Sequence, residues 1–217
     1  MRLSVTTSNS AIARPRWERR KDARPAELIA AALQLFIEKG YAGTRLEDVA
    51  SRAGVAKGTL YLYFENKEEL FKAVVRDNVV ARISKSAEEL LRFSGSSGEL
   101  LSSLITRWWR DYGSSEAGGL GKLIVAESGN FPEIARFFLD EVIEPWHALL
   151  AGTLARGVER GEFREVNVPM FVRVITAPLV MLSLWTRSFG PCSGQPVDAD
   201  AYIATHVDMV LVALRRT

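Results

Sequence analysis

Residues Thr44 to Lys67, TRLEDVASRAGVAKGTLYLYFENK, carry the pattern that decides the fold. Thr44 followed three positions later by Glu47 has the form of a capping box, in which a threonine hydroxyl and a glutamate carboxylate each satisfy an orphan backbone N–H at a helix start. A helix is therefore expected from Arg45. Leu46, Val49, Ala50 and Ala53 fall at helical spacing and form one apolar stripe, and Gly54 supplies the permissive backbone that ends it. A second helix is expected from Ala56, with Leu60 and Phe64 one turn apart facing inward. That leaves Gly58 and Leu62 on its far side and Lys57, Thr59, Tyr61 and Tyr63 on its flanks. Two short helices joined by a tight glycine turn describe a helix-turn-helix, whose second helix enters the major groove of DNA.

Upstream, Ile29, Leu33, Phe36 and Ile37 recur at helical spacing, with Pro25 suited to the first helical position and Gly40 to the position just past the end. The unit is thus a three-helix cluster rather than a lone pair, although any small helical bundle needs short amphipathic helices of this kind. Lys57-Gly58-Thr59-Leu60-Tyr61, then Tyr63-Phe64 and Asn66-Lys67-Glu68-Glu69-Leu70, with Ala31-Ala32-Leu33, Phe36, Gly40, Thr44 and Val49-Ala50 upstream, closely resembles the DNA-binding domain of TetR-family transcriptional regulators. The resemblance covers Ala26 to Val75.

The resemblance implies roles that the chemistry can be set against. Thr44, with Arg45 beside it, would anchor a phosphate at a helix N-terminus, where free N–H groups and the helix dipole favour an anion. Lys57 and Thr59 would approach base edges, a lysine donating to guanine and a threonine methyl meeting a thymine methyl. Gly58 would let the backbone come close, and Tyr61 and Tyr63 would reach phosphates and brace the helix, positioning more than reading. Lys67 would touch the backbone of the same half-site, its other reading being a solvated charge beside Glu68 and Glu69.

Composition is that of a folded protein of one or two domains: 217 residues, 47% hydrophobic and 25% charged. The net charge of +2 predicts no polyanion partner by itself, but its distribution does. Residues 1–80 hold fourteen Lys and Arg against ten acids, and the remainder holds fourteen against sixteen. One cysteine, Cys192, excludes an intramolecular disulfide and fits a reducing cytoplasm. No uninterrupted apolar run of membrane length is evident, the start makes a poor signal peptide, and no membrane association is expected. Residues 1–24 read as a basic, flexible arm that either adds phosphate contacts or stays solvated, with Trp17 unusual within it.

Beyond the reading head the pattern is helical throughout, so the expected fold is all-α: a helix-turn-helix domain over residues 25–70 and a six-helix effector-binding and dimerisation domain over 71–217, nine helices in total. A helix from Asn66 to Phe93 would link the two and act as a lever. Aromatic residues are in excess, and Pro145 and Pro178 fall well inside expected helices, where each removes a backbone hydrogen bond and opens space beside it. An apolar or aromatic effector pocket is expected from Trp108, Phe138, Trp146, Thr176 and Trp185, with His147 or Glu127 as a polar contact, against the plainer reading that these rings are core. Surplus apolar residues on the last two helices suggest a homodimer face built from Val174, Pro178, Met181 and Leu182 and from Val207, Val210, Leu211 and Leu214. TetR resemblance then implies a dimeric repressor of a palindromic site, released by ligand; the alternatives are activation, or a hydrophobic-molecule carrier that keeps the helix-turn-helix as scaffold. An enzyme would have to use His147, His206 or Cys192, none of which sits in a nucleophile, dyad or metal spacing, and no cofactor or metal is implied.

Overall fold

The computed structural model describes residues 16–216, with side chains from residue 25 onward. Eleven α-helical segments make up the fold: α1 Arg16–Gly43, α2 Leu46–Arg52, α3 Lys57–Tyr61, α4 Lys67–Val75, α5 Ala81–Arg92, α6 Ser97–Arg107, α7 Gly119–Glu127, α8 Pro132–Phe138, α9 Glu144–Glu159, α10 Val168–Ser188 and α11 Ala199–Leu214. A π turn, Arg76–Val80, runs α4 into α5, and another, Leu139–Ile143, runs α8 into α9, so the described residues form nine helical rods. A third π turn, Trp108–Gly113, extends α6. No strand occurs among the described residues.

Helix starts follow side-chain chemistry where the sequence offers it. Asn66, Asn167 and Asp198 each accept a backbone N–H three residues on, and Ser96 with Glu99 forms a full capping box. Gly54 and Gly161 end their helices with positive φ, 65° and 68°. Helix α1 starts at Arg16 rather than at Pro25, which lies inside it. The residues before the proline, RWERRKDAR, are mostly good helix formers, and they carry the helix upstream despite one lost hydrogen bond. Side chains of the basic arm, Trp17 among them, and all of residues 1–15 lie outside the described residues.

The capping box expected at Thr44 does not form. Arg45 is the N-cap of α2 and no side chain caps it. Gly40 breaks α1 with φ 75° and ψ 173°, which turns the following residues back on the helix. Thr44 is thereby carried inside, 1% exposed, where its hydroxyl donates to Gly40 O at 2.7 Å and lies 3.1 Å from Leu35 O. Glu47, freed from capping, pairs with Lys57 instead.

Two cores hold the molecule. The first joins the reading head to α4, α7 and α8 through Leu28, Phe36, Val49, Leu60, Leu70, Phe71, Leu120 and Ile134, all at or near zero exposure. Phe36 and Tyr41 both meet Phe71 edge-on, at centroid distances of 5.3 and 5.4 Å. The second core lies among α6, α9, α10 and α11. Burying a leucine or phenylalanine side chain fully contributes about 1.5–3 kcal/mol. On that scale Leu60 supplies most of what keeps the five-residue helix α3 in place.

Candidate functional site

Helix α3 stands with its polar side outward. Lys57 is exposed, and its ammonium lies 2.6 Å from Glu47 Oε1 and 5.8 Å from the centre of the Tyr61 ring. The hydrogen bond from Lys57 holds the Glu47 carboxyl below the usual carboxylate range, and the same contact raises the lysine. Tyr61 is 45% and Leu62 82% exposed, while a Cβ on Gly58 would meet nothing. Arg45 is exposed at the start of α2, Thr59 is half-buried, and Tyr63 packs partly against the first core. These residues form one ridge of cation, hydroxyl and aromatic edge. Leu62 was placed by periodicity on the far side of α3 but given no role, and it is the most exposed apolar group on the ridge.

Two residues assigned phosphate contacts are engaged elsewhere. Thr44 faces inward, as described. The Lys67 ammonium donates to Tyr41 O at 2.7 Å and to Ala42 O at 3.3 Å, and stands 4.5 Å from the Tyr41 ring centre. Burial pushes the Lys67 pKa down. Two of its three donors satisfy carbonyls at the end of α1, which ties Lys67 to the shape of the turn.

A cavity of about 170 Å³ opens among α4–α5, α6, α7, α8–α9 and α10. It brings together Trp108, Phe138, Trp146, His147 and Thr176 of the expected pocket. Burial pushes the His147 pKa down, favouring a neutral imidazole. Trp146 Nε1 and Thr176 Oγ1 are buried with no hydrogen-bond partner. Sequence reasoning missed Val79, Arg82, Tyr112, Lys122 and Val142, which also line it. All three π turns contribute to its walls, through Val79, through Trp108, Asp111 and Tyr112, and through Val142 and Ile143. The extra residue in a π turn only slips an apolar stripe by one position, a weak signal in sequence, although such turns gather at functional sites. Burial also lifts the Tyr112 hydroxyl to about 12, so that it stays protonated beside Arg187.

Glu127 and Trp185 are not part of the cavity wall. Glu127 ends α7, and its carboxylate accepts the Ala42 N–H at 3.3 Å, because the last turn of α7 points at α1. Trp185 is 40% exposed and lies 5.2 Å from Phe189, on the outer side of α10. That outer side also exposes Val174 (63%) and Met181 (56%), and α11 adds Met209 and Val212. Of the expected dimer face, Leu182, Val210 and Leu214 are instead buried in the subunit's own second core, and Pro178, Val207 and Leu211 are half-buried. Helix α10 is long and apolar enough to cross a membrane by length and composition, although Arg173 interrupts its apolar run, and it is only 28% buried over that stretch. Among the described residues no group of histidine, cysteine and carboxylates could hold a metal ion.

An exposed cationic and aromatic recognition helix set on a compact three-helix head, joined to a helical domain with an apolar cavity, defines a helix-turn-helix DNA-binding regulator. A family profile described as bacterial regulatory proteins of the tetR family matches residues 28–74, and one described as a tetracyclin repressor-like C-terminal domain matches residues 94–210. The chain belongs to the TetR family of transcriptional regulators. It is similar to the fatty acid metabolism regulator protein of Bacillus subtilis, 28% identical over 151 residues, 67% of this chain and 74% of that one. It is also similar to the transcriptional repressor KstR2 of Rhodococcus jostii, 26% identical over 190 residues, 87% of this chain and 91% of that one. A crystal structure of the regulator FadR from Bacillus subtilis in complex with stearoyl-CoA superposes with a TM-score of 0.70 at 23% identity, covering 88% of this chain and 99% of that one, a likeness of fold.

Thr44→Val should cost about 1–2 kcal/mol of folding stability, since it leaves Leu35 O and Gly40 O without their buried donor. Lys67→Met should likewise lower the urea midpoint. Neither should change the slope of log affinity against log salt, which drops by about one when a phosphate contact is lost. A slope change without loss of stability would restore the phosphate assignments.

Proposed function

We propose that this regulator is a ligand-released repressor that binds a palindromic operator as a homodimer and acts in the cytoplasm. The observation that carries the DNA reading is the outward ridge of Lys57, Gly58, Tyr61 and Leu62, with Arg45 and Thr59 beside it. Lys57 would exchange Glu47 for a guanine edge, and Tyr61 and Tyr63 would set the helix against the phosphates. The named repressor among its relatives supports the sign of control. Residues 25–70 would form the reading unit and 71–217 the effector and dimer unit, with the basic arm over residues 1–24 adding to DNA affinity.

The homodimer would form through Val174, Met181, Trp185, Met209 and Val212, an apolar face too exposed for a subunit that stays alone. Pro178, Val207 and Leu211 would sit at its edge. A two-fold pair would present its recognition helices to successive major grooves, about 34–36 Å apart or somewhat more, which is why the operator would be palindromic.

The cavity would take an amphipathic effector. Its walls are apolar, the orphan donors of Trp146 and Thr176 favour a ligand with an acceptor oxygen, and Arg82 and Lys122 favour an anionic end. The stearoyl-CoA held by a regulator of similar fold supports this class. An engineered cavity of about 150 Å³ admits a single benzene, so a longer chain must push these walls apart. Displacement of the walls is what would give the effector unequal affinity for the DNA-competent and released states.

Three measurements test the reading. Selection of bound duplexes from a random pool should return a palindrome for the parent, relaxed specificity for Lys57→Ala, and weaker binding at every sequence for Tyr63→Ala; no enrichment for the parent would end the regulator account. Met181→Glu with Val174→Glu should turn a dimer into a monomer in sedimentation, and an unaltered dimer would place the interface elsewhere. Palmitoyl-CoA should quench tryptophan fluorescence and weaken operator binding, with Arg82→Glu and Lys122→Glu together reducing its affinity about tenfold. Equal binding by that variant would remove the anionic end from the proposal.

A further inference from the structure

We propose that Glu127, contributed by the effector-binding half of the chain, is a positioning residue of the DNA-reading head. The proposal rests on the DNA-reading role of the ridge around Lys57.

The turn at residues 40–42 is where α1 breaks at Gly40 and the chain turns toward α2, and it is gripped from two sides by opposite charges. On one side Lys67 donates to the carbonyls of Tyr41 and Ala42. On the other, Glu127 Oε1 accepts the Ala42 N–H. The same oxygen would stand 3.0 Å from a Cβ at position 40, so Gly40 is needed there for the approach of the carboxylate as well as for its φ of 75°. The Tyr41 ring closes the joint, lying against Lys67 and 4.8 Å from the ring of Phe131, which follows α7. No other side chain of α7 is hydrogen-bonded to the reading head among the described residues.

What the joint holds is the entry to α2. Arg45 caps that helix with no side-chain cap of its own, and Glu47, two residues on, pairs with Lys57 at the start of α3. A shift of Ala42 therefore re-aims both helices as a unit. Helix α7 also lines the cavity, from Gly121 to Val125, so wall and joint lie only about 3 to 9 Å apart along one helix. A chain of packed and hydrogen-bonded groups this short can pass a displacement of α7 to the recognition helix without requiring α4 to swing.

Glu127 carries a negative charge on a DNA-binding protein, and the charge and the hydrogen bond make opposite forecasts. If the carboxylate acts only as a charge, Glu127→Gln and Glu127→Ala should both tighten binding to any duplex, equally. As a positioning residue, Glu127→Gln keeps an acceptor for Ala42 and should bind the selected operator within about twofold of the parent. Glu127→Ala should bind that operator about five- to tenfold more weakly, with affinity for a non-cognate duplex and the salt slope unchanged. Hydrogen exchange at the amides of residues 42–44 should quicken at least about threefold in Glu127→Ala and not in Glu127→Gln. Should Glu127→Ala not fold, Glu127→Asp, a methylene too short to reach, carries the same expectation. Equal effects of the alanine and glutamine variants, or a loss shared by operator and non-cognate duplex, would overturn the proposal. Failure of the parent to enrich any duplex would instead overturn the regulator account, and the exchange rates would still decide whether Glu127 holds the turn.

Discussion

A helix of five residues has no standing of its own in water, because nucleating it fixes several backbone dihedrals for one or two hydrogen bonds. Helix α3 exists because Leu60 is fully buried and the turns on either side are locked. Its chain continues through Tyr63 and Phe64, whose N–H groups both bond Leu60 O, into the Asn66 cap of α4. Everything the protein does with DNA depends on that one burial. The outer residues of α3 can therefore be chosen for recognition, since none of them is required to hold the helix together. The Lys57–Glu47 pair illustrates the division: both partners are exposed, and an exposed pair contributes little to stability. Its effect is to keep a mobile lysine aimed along the ridge.

Much of this was legible in the chain. Gly40, Gly54 and Gly161 stop helices with positive φ where periodicity ended, and the nine rods follow the pattern of apolar stripes and caps. Legibility failed where one residue type serves two chemistries. Thr44 followed by Glu47 has the spacing of a capping box, but a threonine hydroxyl can equally bond carbonyls behind it, and the break at Gly40 decides for the second. Lys67 resembles a phosphate ligand in sequence, whereas the open carbonyls of a helix end, beside the Tyr41 ring, take two of its three donors. Glu127 is misplaced for a related reason. A polar residue ending an apolar helix looks like a pocket contact until one knows which neighbour that helix end meets.

Helices α10 and α11 show a different limit. Periodicity assigns residues to faces of a helix, but when apolar residues surround it the pattern cannot say which face turns inward. Leu182, Val210 and Leu214 were grouped with Val174 and Met181, and the structure separates them: the first three fill the subunit's core and the last two stand in solvent. The cavity was legible as a region, through its rings, and illegible in its walls. Pro145 sits two residues beyond the π turn Leu139–Ile143, at the second position of α9, so the missing N–H falls where the helix has already changed register. Helix α10 continues through Pro178. The space comes from π turns in three rods, and of the two prolines only Pro145 lies next to one of them.

The exposed side of α10 follows from the same packing. One side is covered by α7, α9 and α11, helices whose own outer faces carry charges, and a bilayer would have to accommodate those charges as well. Arg173 is exposed within the apolar stretch, and Arg187 near its end bonds Ser115 O and Ser183 inside the fold. A helix buried along one stripe and apolar along the opposite stripe favours a second protein surface of the same character. A two-fold copy of α10 and α11 would supply it, because a self-complementary patch satisfies both subunits at once. The stripe also lies next to the cavity, through Val180 and Thr176 on one helix. A ligand that displaces α10 would then alter the contact between subunits as well as the joint at Glu127. The spacing of the two reading heads and the aim of each would answer to the same occupied cavity, by separate routes that reinforce one another if both favour release.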